Sequence, residues 1–521
     1  MILRTLAVAG LATLIAAAPA QAKPKPVSPP PKSSWSKVDP SLFGMHVSTL
    51  SAGKDFPGKL GGVRLWDTGV RWDQIEKQQG QFDWDRLDEA VATAERSGAT
   101  EIMYVLGSTP EWAAKYVRPD TYYYGGGTAS EPAKLSYWRD WVRAVATRYK
   151  GRITSYQIWN EANLASFYAP ERPKHWKRMA LLTDIAADEI RAIDRKAQIV
   201  SASSTVIQGK KFASESFFFR YLRSIANRKV KLDAISVHLY PWTTKGPGGG
   251  NPSDRLEGLE MARTVVNKVG LSKVPIWDTE VNYGNRRDNG HDEEVFGPKV
   301  GSAYLARTYI DSLRYDVTKV FWYAWESQVM GISTTAPVSG NVLMPGTAFF
   351  TLEDWLAGAR WGTCSDQRVT VCSLKRSGER QYVLFAPLGK TRTVKLPRAK
   401  FDVREVCTLD GECERIKARQ VRVKASPGPA RSVSCSYGRR TNEVDGGTSG
   451  RGPAGPTDGG VGEDGQPGAV RPARPGTRWR GGAPDLGERC APLGLRGALG
   501  PDRDEEGCLR LGSAGSRRGS R

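Results

Sequence analysis

Before position 364 this 521-residue chain has no cysteine, and the whole of it has seven. That excludes a small fold built on disulfides. It has four histidines and neither an H-E-x-x-H nor a C-x-x-C spacing, so no metal centre is expected. No G-x-S-x-G occurs, which excludes a serine nucleophile elbow. Gly389-Lys390-Thr391 ends like a phosphate loop, but Leu384 stands where that loop needs glycine. No cofactor is expected. Zinc-finger and RNA-recognition signatures are missing, so nucleic acid is a poor partner. Apolar runs long enough to span a bilayer, ~20 residues, are missing as well.

What is present is basic and aromatic. Lys+Arg number 76 against 55 Asp+Glu, a formal charge of +21, and there are 16 Trp and 18 Tyr. Flat amphipathic rings suit sugars and ordinary cores alike. A basic exported chain is attracted to anionic cell-envelope polymers, although a merely solvated basic surface gives the same count. Residues 1–22 read as a signal peptide, with Arg4, an apolar stretch from Thr5 to Ala18, and Ala20-Gln21-Ala22 as cleavage site. The expected location is therefore secreted, extracellular or envelope-associated, with no membrane span after cleavage. Residues 23–38 form a Pro/Lys-rich linker. At the other end, 438–521 is rich in Gly, Pro and Arg without Lys, Ile, Phe or Tyr, and reads as a disordered tail. Cys364/Cys372 and Cys407/Cys413 are close pairs suited to stapling hairpins, although four cysteines allow three connectivities.

Between 39 and 362 short apolar strands alternate with amphipathic helices. The strands are 42–48, 62–65, 101–106, 155–159, 199–203, 234–238, 276–279 and 319–323. Such alternation implies a parallel sheet, and eight strands fit a closed (β/α)8 TIM barrel, an α/β fold. The alternative, an open doubly wound sheet, is disfavoured because no G-x-G-x-x-G turn follows the first strand. From 363 to 437 the period falls to two, as in Gln381-Tyr-Val-Leu-Phe, which predicts a small β-sandwich. A monomer is expected.

A TIM barrel builds its site at the C-terminal strand ends. Strand 4 ends in Trp159-Asn160-Glu161-Ala162-Asn163 and strand 7 in Thr279-Glu280. Strands 4 and 7 face one another, so two carboxylates meet across one cavity, as glycoside hydrolysis needs. Arg64, in strand 2, is placed to donate to Glu280. Asn160 suits a sugar 2-OH. His238 and Tyr240, after strand 6, put an imidazole and a phenol beside the pair. Trp325, after strand 8, is expected to be the stacking floor, with Trp112, after strand 3, as a second platform. Glu111 and Glu326 are further strand-end carboxylates, and His46 ends strand 1. Tyr122-Tyr123-Tyr124 is expected to be a mobile rim.

These two Glu motifs in this strand order resemble clan A of the retaining glycoside hydrolases, most closely family 39, with families 5 and 51 behind. Ala162 replaces the Pro that many relatives carry after W-N-E. The resemblance implies a two-step double displacement with Glu161 as acid/base and Glu280 as nucleophile, acting on O-glycosidic bonds of a polysaccharide or oligosaccharide. The alternative is a non-catalytic carbohydrate-binding or envelope protein on a glycosidase scaffold.

Overall fold

The computed structural model describes residues 35–118, 122–168, 173–206, 212–243, 246–247, 249–286, 294–327, 329–388, 390, 392–397, 405–415 and 420–425. The signal peptide, most of the linker, the tail, and Cys435, Cys490 and Cys508 lie outside these.

Eight short parallel strands form one sheet: β1 (Phe43–Met45), β2 (Gly62–Leu65), β3 (Glu101–Leu106), β4 (Ser155–Ile158), β5 (Gln198–Val200), β6 (Ile235–His238), β7 (Ile276–Val281) and β8 (Val317–Trp322). Their order is β5-β4-β3-β2-β1-β8-β7-β6. Parallel bridges from Val200 to Ala234 and from Thr205 to His238 join the two ends and complete the expected barrel. Helices α1 (Asp85–Arg96), α2 (Leu135–Arg148), α3 (His175–Ile193), α4 (Phe217–Arg228), α5 (Pro252–Lys268), α6 (Pro298–Arg314) and α7 (Met344–Leu356) pack outside. No described helix is long and apolar enough to cross a membrane.

The alternation of side chains along each strand divides the core in two. Outward residues such as Tyr104, Ile158, Val237 and Ile276 join the helices in the main apolar cluster. Inward residues Met103, Val200, Ala234, Trp277 and Phe321 fill the barrel centre. Below them the Lys319 ammonium pairs with Glu101 and lies 4.1 Å over the Trp277 ring, so this buried charge is compensated.

The expected β-rich C-terminal unit is antiparallel. β9 (Arg360–Asp366), β10 (Thr370–Arg376) and β11 (Glu379–Phe385) form one sheet, and short strand Ser36–Lys37 pairs with β9. Residues 36–37 are thus tied to the sheet rather than continuing the linker, and β9 begins three residues before 363. The reason is that pairing partners, unlike composition, are not visible locally. Disulfide Cys364–Cys372 joins β9 to β10 and Cys407–Cys413 closes a short hairpin, the two local pairings. Arg314 anchors this unit to the barrel, reaching Asp366 at 2.8 Å.

On α7 the buried Glu353 has its pKa pushed up to about 7, chiefly by burial, against an opposing pull from Lys59. The folded state holds its proton more tightly than the unfolded chain does. Stability should therefore be full below the ordinary carboxylate range and fall as pH rises through about 7. Glu353→Gln removes this dependence. Melting curves of variant and parent should coincide at pH 4, and the variant should be the more stable at pH 8.

Candidate active site

At the end of β4 the chain turns abruptly. Trp159 has φ 75° and Glu161 φ 41°, both in the left-handed region. Such residues cost of order 1–3 kcal/mol each and persist only where neighbours fix them. Here the Trp159 indole donates to Phe167 O at 2.7 Å and packs on Trp138 and Tyr168. The Glu161 N–H donates to Ser203 Oγ at 2.8 Å, and the Ala162 N–H to Ser203 O at 3.0 Å. The tryptophan is the anchor, and the turn it holds presents Asn160 and Glu161 to the barrel mouth.

Glu280 reaches the same mouth by another device. Trp277 faces the barrel centre, while Asp278 faces out and pairs with Arg255 at 2.8 Å. Strict alternation would then send residue 280 outward. The ladder slips between Asp278 and Glu280, which oppose the adjacent residues Val237 and His238 of β6. This irregularity re-aims the carboxylate inward, as bulges beside active sites do.

The two carboxylates meet. One oxygen each from Glu161 and Glu280, with a His238 nitrogen, all lie within 4.8 Å of one another. Arg64, fully buried, serves three acceptors: Glu280 Oε2 at 2.9 Å, Gln157 Oε1 at 3.0 Å and Asn160 Oδ1 at 2.5 Å. Tyr240 Oη donates to Glu280 Oε1 at 2.9 Å, so each Glu280 oxygen receives one donor. Glu161 is arranged differently. Thr205 Oγ1 donates to its Oε1 at 2.5 Å, and His238 Nδ1 lies 3.0 Å from the same atom. Its Oε2 has no partner among the described residues and is the oxygen left for a ligand.

Electrostatics follow the geometry. Burial raises the Glu161 pKa above the ordinary carboxylate range, opposed by the Thr205 hydrogen bond and the Arg64 charge and aided by Asp67. His238 is driven down to about 3, chiefly by burial, and is therefore neutral. A neutral imidazole adds no positive charge that would strip the Glu161 proton. Thr205 favours the Glu161 anion, so Thr205→Val should raise that pKa further. If protonated Glu161 is the working form, rate falls as pH rises through its pKa. The alkaline limb of kcat/KM should thus move to higher pH in Thr205→Val, with the acid limb unmoved.

Of the expected site residues, Arg64, Asn160, Glu161, His238, Tyr240 and Glu280 converge. The two platforms do not. Trp325 is buried against Phe56 and Phe350, at ring distances of 4.7 and 5.4 Å. The chain has already turned away from β8 there, so its parity with Phe321 no longer aims it inward. Tyr323, two residues past the inward Phe321, is half-buried with its ring 5.0 Å from His46. Trp112 donates to Glu76 O at 2.7 Å and packs on Trp72 and Tyr137, in the aromatic cluster beside α2. Glu326 instead accepts from Ser48 and Thr49, and Glu111 is exposed. His46 is buried beside the pair, with Nε2 3.0 Å from Thr279 O. The Tyr123–Tyr124 rim is pinned: Tyr123 packs on Phe167 at 5.0 Å, and the Arg71 guanidinium lies 3.7 Å over Tyr124. Sequence reasoning missed Thr205 and Tyr323. Extending the inward parity of β8 by one step would have found Tyr323. For Thr205 no local signal exists.

Glycosyl hydrolase family 10 matches residues 66–238, which include Glu161 and stop short of Glu280. The curated relatives include endo-1,4-beta-xylanase A of Fusarium oxysporum f. sp. lycopersici, 26% identical over 99 residues, 18% of this chain and 27% of that protein. The chain thus spans about a quarter of the length of the curated relatives it matches. A solved family 39 glycoside hydrolase from Bacteroides cellulosilyticus WH2 superposes with TM-score 0.54 at 16% identity, over 78% of this chain and 82% of that one. A monomeric beta-xylosidase from Caulobacter crescentus CB15 gives 0.55 at 16% identity, over 78% and 97%. Residues 66–238 thus match the family 10 model, and the chain shares the (β/α)8 barrel fold of these solved glycoside hydrolases.

Proposed function

We propose that this protein is a secreted, retaining glycoside hydrolase that cleaves O-glycosidic bonds of a polysaccharide or oligosaccharide, with Glu161 as acid/base and Glu280 as nucleophile. The observation that carries this reading is the approach of the two carboxylates to within 4.8 Å. Retention uses carboxyl groups about 5 Å apart, whereas inversion leaves room for a water at roughly 6.5–9.5 Å. The family 10 match and the xylanase and xylosidase names of the relatives support glycosidic chemistry. The signal-like N-terminus and the two disulfides support an oxidising, external location.

The chemistry follows from the two hydrogen-bond sets. Glu280, held at both oxygens by Arg64 and Tyr240, is fixed for attack on the anomeric carbon. The Glu161 proton passes from Oε2 to the glycosidic oxygen as the bond from that oxygen to the anomeric carbon breaks. A glycosyl ester on Glu280 results. Glu161, now a carboxylate, takes a proton from water, whose oxygen attacks the anomeric carbon. The ester bond breaks, releasing sugar and restoring both groups. Asn160 has its oxygen on Arg64, which leaves its amide nitrogen to donate. That nitrogen is the group proposed to hold the 2-OH.

A screen of polysaccharides and aryl glycosides tests the reading, with Glu161→Ala as control. Hydrolysis that this substitution removes supports it. Saturable binding without turnover on any substrate would establish the non-catalytic alternative.

A further inference from the structure

The catalytic pair leaves one nearby carboxylate unexplained. Asp67 lies two residues past β2, with Oδ2 3.8 Å from His46 Nδ1 and Oδ1 3.3 Å from Tyr124 Oη. His46 in turn touches Thr279 O, immediately before Glu280. Asp67 is thus linked through His46 to the strand that carries Glu280 and stands close enough for its charge to act on Glu161 and His238. Its charge is the largest influence raising the Tyr323 phenol. It is also accessible: its side chain is 30% exposed, against 11% for each catalytic glutamate.

The cations around it are already committed. Arg64 is divided among Gln157, Asn160 and Glu280. Arg71 has both Nε and a terminal nitrogen on Asp73, at 3.0 and 3.1 Å, and lies over the Tyr124 ring. A uronic acid here would meet Asp67 and Glu280 with no guanidinium set aside for its carboxylate. A neutral sugar offers hydroxyl donors, which a partly exposed carboxylate accepts well.

Building on the proposed hydrolytic reading, we propose that Asp67, steadied by His46 and Tyr124, is a specificity-determining residue that accepts hydroxyls of the bound sugar and restricts the site to neutral glycosides, excluding uronic acids. The basic balance of the whole chain points to acidic polymers, but the pocket itself carries the opposite charge.

The test compares the parent with Asp67→Asn on 4-nitrophenyl xyloside, glucoside and galactoside, and on the matching glucuronide and galacturonide. Calorimetry of xylobiose and cellobiose binding to Glu161→Gln, with and without Asp67→Asn, runs alongside. The parent should prefer the neutral sugars. Asp67→Asn should raise KM for them about 10- to 100-fold, the range for a hydrogen bond to a charged group, with a smaller change in kcat. The neutral-to-uronic ratio should narrow, and disaccharide binding should weaken by a similar factor. A purely structural Asp67 would not move that ratio. Should Asp67→Asn fold poorly, Asp67→Glu, which displaces the carboxylate and keeps its charge, should raise KM in the same sense. An unchanged KM and ratio, or a parent that prefers the uronides, would overturn the proposal. If nothing is hydrolysed but disaccharide binding depends on Asp67, the hydrolytic reading fails and the Asp67 assignment stands. If nothing is hydrolysed and binding is independent of Asp67, both fall.

Discussion

Glu280→Gly should reduce hydrolysis of a reactive aryl glycoside by on the order of 10⁶-fold, the scale on which removing a covalent nucleophile acts. Added azide should then restore turnover. The glycine leaves a gap beside the anomeric carbon, and azide that enters it attacks from the nucleophile's face. The product should be a glycosyl azide of inverted configuration. Glu161→Ala should differ in kind. A substrate with a good leaving group still forms the ester on Glu280, and azide then displaces it from the opposite face, giving a glycosyl azide of retained configuration. General acid–base assistance contributes about 10²–10⁴-fold, so its loss should be the smaller of the two. The two product configurations, read by NMR, assign each glutamate its role. The same configuration from both variants would contradict the assignment.

Arg64→Met should lower kcat/KM by on the order of 10³-fold and also weaken the fold. The guanidinium is fully buried and joins Glu280, Asn160 and Gln157 in one network. Removing it leaves Glu280 without its ion-pair partner, and breaking such a buried pair costs about 3–5 kcal/mol. Arg64→Lys should recover part of the stability, because it restores the charge, but little activity. A lysine is a point charge and cannot span three acceptors as the planar fork does. Denaturant unfolding and kinetics on the same preparations separate the two effects. Unchanged stability in Arg64→Met would show that the network is not coupled as described.

The barrel was legible because each strand is short, apolar and followed by a helix of clear period, so the eight strands fall within a few residues of expectation. The carboxylate pair was legible for a related reason: in a parallel barrel, position along a strand determines which end of the fold a residue occupies. Parity was not legible past the strand ends. Trp325 shares the parity of Phe321 and Tyr323, yet the turn after β8 carries it onto Phe56 and Phe350, while Tyr323 stays beside His46. Glu280 carries the converse lesson. Alternation from Trp277 would have pointed it outward, and the irregularity that corrects this depends on pairing with β6, which no local pattern encodes. Thr205, supplied by the loop after β5, is likewise a product of tertiary approach. Trp112 shows how residue type misleads: a tryptophan at a strand end is as well suited to packing as to stacking on a sugar, and here it packs.

Proton NMR of the first-formed sugar, recorded before mutarotation, tests the central claim most directly. With the carboxylates this close, the product released during the initial rate should carry the anomeric configuration of the substrate. An inverted first product would show that water attacks the sugar directly and would exclude Glu280 as the nucleophile.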